Sequence, residues 1–396
     1  MSEYVRRVRQ TDRAFALRLE QLDIELTERC NNDCIHCCIN LPANDAEAQR
    51  RELTTQQIRD IFGQAAELGC LQVRITGGEP LLRDDFAELY LVARRLGLRV
   101  QLYTNACLVT PAIADLFARI PPLAPVEVTV YGMCRESYEA VTRAPGSFRR
   151  FREGASLLEE RGVPFWVKTA LLPQNRADMD GFEAWAKTLP SMTRPPLYSL
   201  FFDLRERRDD EKKNRLIQSL RLSPKEGVSF LMKNDKSREE LSRFAAKFFR
   251  PFSDRLFDCG VCEGGNLCVD AYGRAQPCMG VRTPALTIDL LGGAGKTTLR
   301  DAQERFAPLR DMLAANPDYL RRCARCFLRG LCEQCPAKSW AEHGTLDTPV
   351  DYLCEVAHAM ARAMGWLTGD EHGWEARNWQ ERVGQTPIDR QKRRVL

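Results

Sequence analysis

The chain has 396 residues, 44% of them hydrophobic and 28% charged, with 58 basic against 54 acidic residues and a formal net charge of +4. This is the composition of a globular protein long enough for two or three domains with proper cores. It argues against a nucleic-acid partner, because no basic block is interleaved with aromatics and the basic tail RQKRRVL is short. It also argues against export or a membrane partner, because the first residues lack an apolar segment and no run of about 18 apolar residues occurs. The expected location is the cytoplasm.

Sixteen cysteines in a reducing compartment are expected to be thiols, so clustered ones point to metal. Four lie between 30 and 38, eight between Cys259 and Cys335, and Cys354 follows. Cys70, Cys107 and Cys134 stand alone and read as small buried hydrophobes.

About 20 residues form an N-terminal extension. From 21 to 203, short β-like runs alternate with amphipathic stretches: LDIELTE at 22, VRITGG at 73, RVQLYTN at 99, VEVTVYG at 126, PFWVKTALL at 164 and LYSLFFD at 197. Helices are expected between them, among them TTQQIRDIFGQAAELG, capped by Thr54 or Thr55, and SFRRFREGASLLEERG, ending at Gly162. Mostly apolar strands separated by helices imply a parallel sheet covered by helices, an α/β fold.

In such an arrangement functional groups gather at the C-terminal strand ends. The four-cysteine stretch ERCNNDCIHCC follows the first strand, GGEP (77–80) the second, and Thr104-Asn105 the third. The three would face one mouth.

Residues 204–258 turn charged and broken (RERRDDEKKNR) and then resume a helical pattern in REELSRFAAKFFRPF, which reads as a bridge. The segment 259–365 holds the second cysteine set, with a small core expected to be organised by metal. Residues 366–396, with Trp366, Trp374 and Trp379, read as a C-terminal helix and tail. LLGGAGKTTL resembles a phosphate-binding loop but has Leu290 where that motif needs its first glycine, so it reads as a loop before a helix start.

Cys30, Cys34 and Cys37 follow a C-x3-C-x2-C spacing. Three thiolates closing on one centre restrict it to zinc, copper(I) or an iron-sulfur cluster. Zinc would need a fourth ligand, from Cys38 or His36, and neighbouring Cys37 and Cys38 would strain to share one tetrahedral ion. On a four-iron cluster, three cysteines leave one iron open to an external partner.

The cysteine loop after one strand and GGEP after the next resemble the radical S-adenosylmethionine (SAM) superfamily over residues 20–203. The resemblance implies a partial (β/α)6 TIM barrel, with Cys30, Cys34 and Cys37 holding a [4Fe-4S] cluster whose open iron is chelated by SAM. It implies that Gly77, Gly78 and Glu79 contact the SAM methionine amino group, with Thr104, Asn105, Thr129 and Lys168 as further candidate cofactor contacts. It also implies one-electron reduction by a donor such as flavodoxin or ferredoxin and hydrogen abstraction by a 5′-deoxyadenosyl radical. Cys38 is then a neighbour of the cluster, and His36 packs over it.

The second cysteine set, Cys259, Cys262, Cys268, Cys278, Cys323, Cys326, Cys332, Cys335 and Cys354, exceeds what one zinc ribbon needs and fits two four-thiolate clusters. It is similar to the SPASM extension of radical SAM enzymes, although its last close pair is C-x2-C, a residue short of the usual spacing. By position, the resemblance implies Cys262, Cys268, Cys278 and Cys335 for an inner auxiliary [4Fe-4S] cluster and Cys323, Cys326, Cys332 and Cys354 for an outer one, with Cys259 spare or substituting for Cys262 or Cys268.

Relatives with this extension mature sulfatases, dehydrogenate small alcohols or modify ribosomally made peptides. The sulfatase-maturing enzymes place an Asp base after the cysteine of the PC pair, where this chain has Met279, which cannot accept a proton. The details INLP, CPAKSW and TPVDYLCEVAHA look most like peptide maturases, so a peptide substrate is expected, met by direct leader binding or through a separate leader-recognition protein. A small-molecule dehydrogenase is the enzymatic alternative, and a zinc-binding interaction module the non-enzymatic one.

Overall fold

The structure is a computed structural model that describes residues 19–233, 235–246, 252–259, 265–292 and 297–384. It separates into two compact units, one of Met1–Ser199 with Asp258–Arg310 and the other of Leu200–Phe257 with Asp311–Leu396. Residues 258–310 thus group by contact with the N-terminal half of the chain.

The first unit is built on six parallel strands in chain order: β1 (Gln21–Glu25), β2 (Gln72–Thr76), β3 (Arg99–Thr104), β4 (Val126–Val130), β5 (Phe165–Ala170) and β6 (Leu197–Ser199). All six expected strands form, the last shortened to three residues. A later segment adds β7 (Asn266–Val269) parallel to β1, then β8 (Arg274–Gln276) and β9 (Ile288–Asp289) antiparallel, giving the order β9-β8-β7-β1-β2-β3-β4-β5-β6. The sheet is an open, partial barrel with β6 at one edge and this extension at the other.

Side chains alternate across the strands. Leu22, Ile24, Val73, Ile75, Val100, Leu102, Val126 and Val128 are buried, on the side the helices cover. Helix α1 (Thr55–Glu67) opens with the expected cap, Thr54 and Gln57 forming a reciprocal capping box. Helix α2 (Phe86–Arg95) follows β2, α3 (Pro111–Arg119) follows β3, and α4 (Arg135–Thr142) and α5 (Ser147–Glu160) follow β4. Gly162 lies just beyond the end of α5 with φ +63°, the left-handed conformation that glycine adopts at helix ends.

The opposite side carries a polar ladder that hydrophobic patterning did not reveal. Gln72 donates to Gln21 (2.8 Å) and Gln101 (3.2 Å), Gln101 donates to Glu127 (2.6 Å), and Lys168 reaches the other Glu127 oxygen at 3.0 Å. Arg74 pairs with Asp23 at 3.2 Å. Carboxylates, amides and cations thus pair from strand to strand, as buried polar groups favour, with Arg74 Nε left without a partner.

The second unit contains the helices Glu211–Leu220, Pro224–Leu231, Asp235–Ala246, Pro336–His343 and Asp351–Ala363. Its core is apolar, with Val228, Phe327, Leu328, Met360 and Trp366 among its buried members. Apolar area from the 224–246 helices and from beyond residue 365 therefore helps to build what the sequence suggested metal alone would organise. Of the phosphate-loop lookalike, residues 293–296 lie outside the described residues, and the helix Leu299–Phe306 begins after it with a Thr298–Asp301 capping box.

Candidate active site

The cysteine loop leaves β1 through Leu26 to Arg29 and is anchored at its root by one carboxylate. Glu52 accepts a bidentate pair from Arg29 (2.8 and 3.1 Å) and a further bond from Thr27, and it lies 3.6 Å from Arg83. Paired charges with this planar geometry fix orientation as well as contributing energy. The loop's middle is tied to the end of α4, where Asp33 N donates to Thr142 O (2.8 Å) and Ile35 N to Val141 O (3.0 Å). Cys37 N donates to Cys34 O at 3.1 Å, the tight turn that a C-x2-C spacing makes.

Gly77 and Gly78 are required here by close backbone approach. A Cβ on Gly77 would lie 2.1 Å from Thr27 O and one on Gly78 2.2 Å from Arg29 O, and Gly77 has φ +127°. Gly78 N donates to Thr27 O (2.7 Å) and Glu79 N to Arg29 O (2.9 Å). The GGEP turn is thus packed against the root of the cysteine loop.

Glu79 is fully buried and accepts from Thr104 Oγ1 (2.8 Å), Asn105 N (2.8 Å) and Leu81 N (3.1 Å). Burial pushes its carboxyl up to about 7 against the lowering effect of those three bonds. Asn105 in turn donates from Nδ2 to Asn31 Oδ1 (2.9 Å) and lies 3.8 Å from Cys30 Sγ, while Asn32 N is 3.4 Å from the same sulfur. Carboxylate, amide and thiol form one chain linking the ends of β1, β2 and β3. Ala106, after Thr104-Asn105, has φ +60°, a left-handed position that glycine adopts most readily.

Cys34 is buried and Cys30 and Cys37 half-buried on this loop; burial raises the pKa of the hydroxyl of Tyr131, which follows β4, and the three thiols add to the rise. His36 stands over Tyr131 at 5.8 Å between ring centroids. Burial, then the Glu79 carboxylate, holds the Cys30 thiol well above its ordinary range. Among the described residues no three His, Cys, Asp or Glu side chains converge on a single-ion position. A mononuclear zinc site would need its sulfurs about 2.3 Å from one point, whereas a [4Fe-4S] cube takes each thiolate at a separate corner. The thiols are soft donors at a sheet mouth beside the buried and unpartnered Asn31 Nδ2, a donor set that fits an iron-sulfur cluster.

Lys168 and Thr129 face each other across β4 and β5. The Lys168 amine is engaged by Glu127 and lies 3.6 Å above the Tyr103 ring; burial pulls its pKa down, with Glu127 opposing. It belongs to the polar ladder. Cys134 differs from the sequence expectation: it is exposed at the start of α4, 3.3 Å from Ser137 Oγ, while Cys70 and Cys107 are buried as expected.

Of the second cysteine set, Cys268 is buried on β7 and opposite Gln276 of β8, Cys278 is half-buried just after β8, and Cys259 is exposed. Cys262 lies outside the described residues. Met279 offers its carbonyl to Arg282 Nε at 2.8 Å, and Arg282 pairs with buried Glu25.

In the second unit, Cys323, Cys326, Cys332 and Cys354 are half-buried, and burial pushes the Cys323 and Cys326 thiols up to about 12. Cys335 precedes the helix Pro336–His343 at its N-cap.

Residues 24–186 match the radical SAM superfamily, and this part of the chain is a radical SAM domain, that of an enzyme catalysing radical chemistry. Membership implies SAM and a SAM-bound [4Fe-4S] cluster. The AdoMet-dependent heme synthase of Methanosarcina barkeri is 26% identical over 364 residues, 85% of this chain and 95% of that one. The PqqA peptide cyclase of Ruegeria pomeroyi is 31% identical over 156 residues, covering 39% of this chain and only 41% of the cyclase. Among solved structures, native anSMEcpe with bound AdoMet matches with TM-score 0.58 at 15% identity, over 86% of this chain and 96% of that one. Streptococcus suis SuiB bound to precursor peptide SuiA matches with TM-score 0.54 at 17% identity, over 86% of this chain and 76% of that one. No described helix is long and apolar enough to cross a membrane.

Proposed function

We propose that this enzyme abstracts hydrogen from a ribosomally made peptide and so installs a thioether, a carbon-carbon crosslink or an oxidation. The chemistry is carried by one observation: three thiols, the GGEP turn and Thr104-Asn105 meet at consecutive ends of parallel strands, joined through Glu79. When bound there, SAM and the [4Fe-4S] cluster supply a 5′-deoxyadenosyl radical. Cys30, Cys34 and Cys37 hold the cluster, Glu79 and Asn105 orient the loops that carry it, and the GGEP backbone fixes the distance between β1 and β2. Gly77, Gly78, Glu79, Thr104 and Asn105 border the SAM site, and Thr129 sits on the strand that leads to it. Lys168 supports the site's floor through Glu127.

The peptide substrate class is supported by the likeness of the core to PqqA peptide cyclases. Two auxiliary [4Fe-4S] clusters are part of the proposal. The outer is held by Cys323, Cys326, Cys332 and Cys354, and the inner by Cys262, Cys268, Cys278 and Cys335, the two sets that the resemblance implies. An electron donor of the flavodoxin or ferredoxin type, a leader-recognition protein and a cytoplasmic location complete the proposal.

A second reading rests on the heme synthase likeness, which spans nearly all of that enzyme: reaction on a heme precursor. The deciding experiment is mass spectrometry of small peptides encoded beside this enzyme after coexpression, set against anaerobic incubation with heme precursors. A peptide that loses hydrogens only when Cys30, Cys34 and Cys37 are intact supports the first reading; conversion of a heme precursor with unchanged peptides overturns it.

A further inference from the structure

The turn between β7 and β8 and the segment after β8 both reach the stem of the first cysteine loop. Strand β7 pairs with β1 so that Cys268 stands beside Asp23, two residues before Glu25. From the turn, the Tyr272 hydroxyl donates to Oε2 of buried Glu28 (2.8 Å), and Ala271 O accepts from Leu53 N (2.8 Å). The Arg51 guanidinium lies 4.5 Å from the centre of the Tyr272 ring and holds it in place. Glu28 precedes Cys30 by two residues, and Leu53 directly follows Glu52, the carboxylate that also anchors this loop.

After β8, the buried Arg282 joins β1, the β7–β8 turn and the turn that follows Cys278. Its Nε donates to Met279 O (2.8 Å), Nη1 to Gln276 Oε1 (3.1 Å), and Nη2 pairs with Glu25, the last residue of β1. Asp270 lies 3.9 Å from Nη1 and is itself fixed by Tyr272 N (2.9 Å) and Arg274 N (3.0 Å). Only a guanidinium presents several N–H donors in one rigid plane, so a lysine could keep the charge here but not all of these contacts. The turn after Cys278, where Val281 N donates to Cys278 O at 3.3 Å, is thereby pinned to the strand from which the first cysteine loop departs.

We propose that Tyr272 and Arg282 are positioning residues for SAM binding. They lock residues 25–28, the stem of the loop that carries Cys30, Cys34 and Cys37, to the segment that carries Cys268 and Cys278. The inference rests on the reading of Cys30, Cys34 and Cys37 as ligands of the SAM-bound cluster. A stem held at Glu25 and Glu28 presents its thiols in one arrangement. Without these contacts the stem gains freedom, and SAM binding must itself restore the order that the fold otherwise supplies. The second cysteine segment thus acts on SAM affinity through the fold, independently of what its own cysteines bind.

The test is a SAM titration of the anaerobic, iron-replete, dithionite-reduced enzyme, followed through the change that SAM causes in the electron paramagnetic resonance of the first cluster. Arg282→Lys and Tyr272→Phe are each expected to raise the half-saturating SAM concentration about tenfold at wild-type iron content. Tyr272→Phe removes one hydroxyl and keeps the ring, so it decides alone where Arg282→Lys does not retain iron. A half-saturating concentration within about twofold of wild type in the iron-replete variants overturns the inference. Cys30→Ala separates this from the ligand reading: it is expected to abolish the SAM-responsive signal, and a retained signal would overturn the ligand assignment itself.

Discussion

Around Cys30, the donors within reach are neutral amides, Asn32 N and Asn105 Nδ2, and the charge that acts on the thiol is the Glu79 carboxylate. Around Cys323 and Cys354 burial raises the thiols as it raises Cys30, and charges of both signs act there: Arg322 is opposed by Asp318 at Cys323 and by Asp351 at Cys354. Arg322 is itself paired with Asp318 (3.0 Å) and Asp351 (2.8 Å). The difference teaches that cysteine spacing says where thiols gather, and that the neighbours, neutral amides and a buried carboxylate in one region and paired ions in the other, are set by the fold.

The comparison breaks most severely at the thiols. Replacing Cys30, Cys34 and Cys37 together with Ala is expected to abolish SAM cleavage and to remove about four irons of about twelve per chain, with the auxiliary signals retained; iron analysis and electron paramagnetic resonance check this. Gly77→Ala comes next, because its Cβ would fall 2.1 Å from the Thr27 carbonyl at a backbone angle that only glycine adopts comfortably. A loss of about 4 kcal/mol or failure to take up the first cluster is expected, read by thermal unfolding and iron content.

Glu79 sharpens the comparison through pH. The unfolded carboxyl loses its proton near 4.5 and the folded one near 7. Across that window the folded chain binds more protons than the unfolded one, so stability falls as pH rises from about 4.5 to about 7 and is flat above it, a change of about 3 kcal/mol. Glu79→Gln is expected to remove this slope in denaturant unfolding measured across the window. The smallest effect belongs to Cys38→Ser, which should leave SAM cleavage within about twofold of wild type in a product assay, because Cys38 stands beside the ligand loop. A tenfold loss would make it a ligand.

Much of the sheet was legible because each strand is a short apolar run bounded by turn or helix signals, and the cysteine loop, GGEP and Thr104-Asn105 fall at strand ends by simple counting. What escaped depends on register and on distant chain segments. Glu79 reads as a candidate ligand contact, and only the fold shows that Thr104 and Asn105, about 25 residues on, also donate to its oxygens. Lys168 reads as a candidate cofactor contact, and only strand pairing shows that it also reaches Glu127. The docking of β7 beside β1 joins residues more than 240 apart, which no local pattern encodes. The contact of His358 Nε2 with Gly373 N was hidden likewise, since a hydrogen-bond donor in sequence carries no mark of its acceptor.

The central claim is that the sheet mouth is built for reductive cleavage of SAM. Anaerobic, iron-replete enzyme supplied with dithionite and SAM is predicted to release 5′-deoxyadenosine and methionine in equal amounts. Absence of both products from a preparation holding about twelve irons per chain would contradict it.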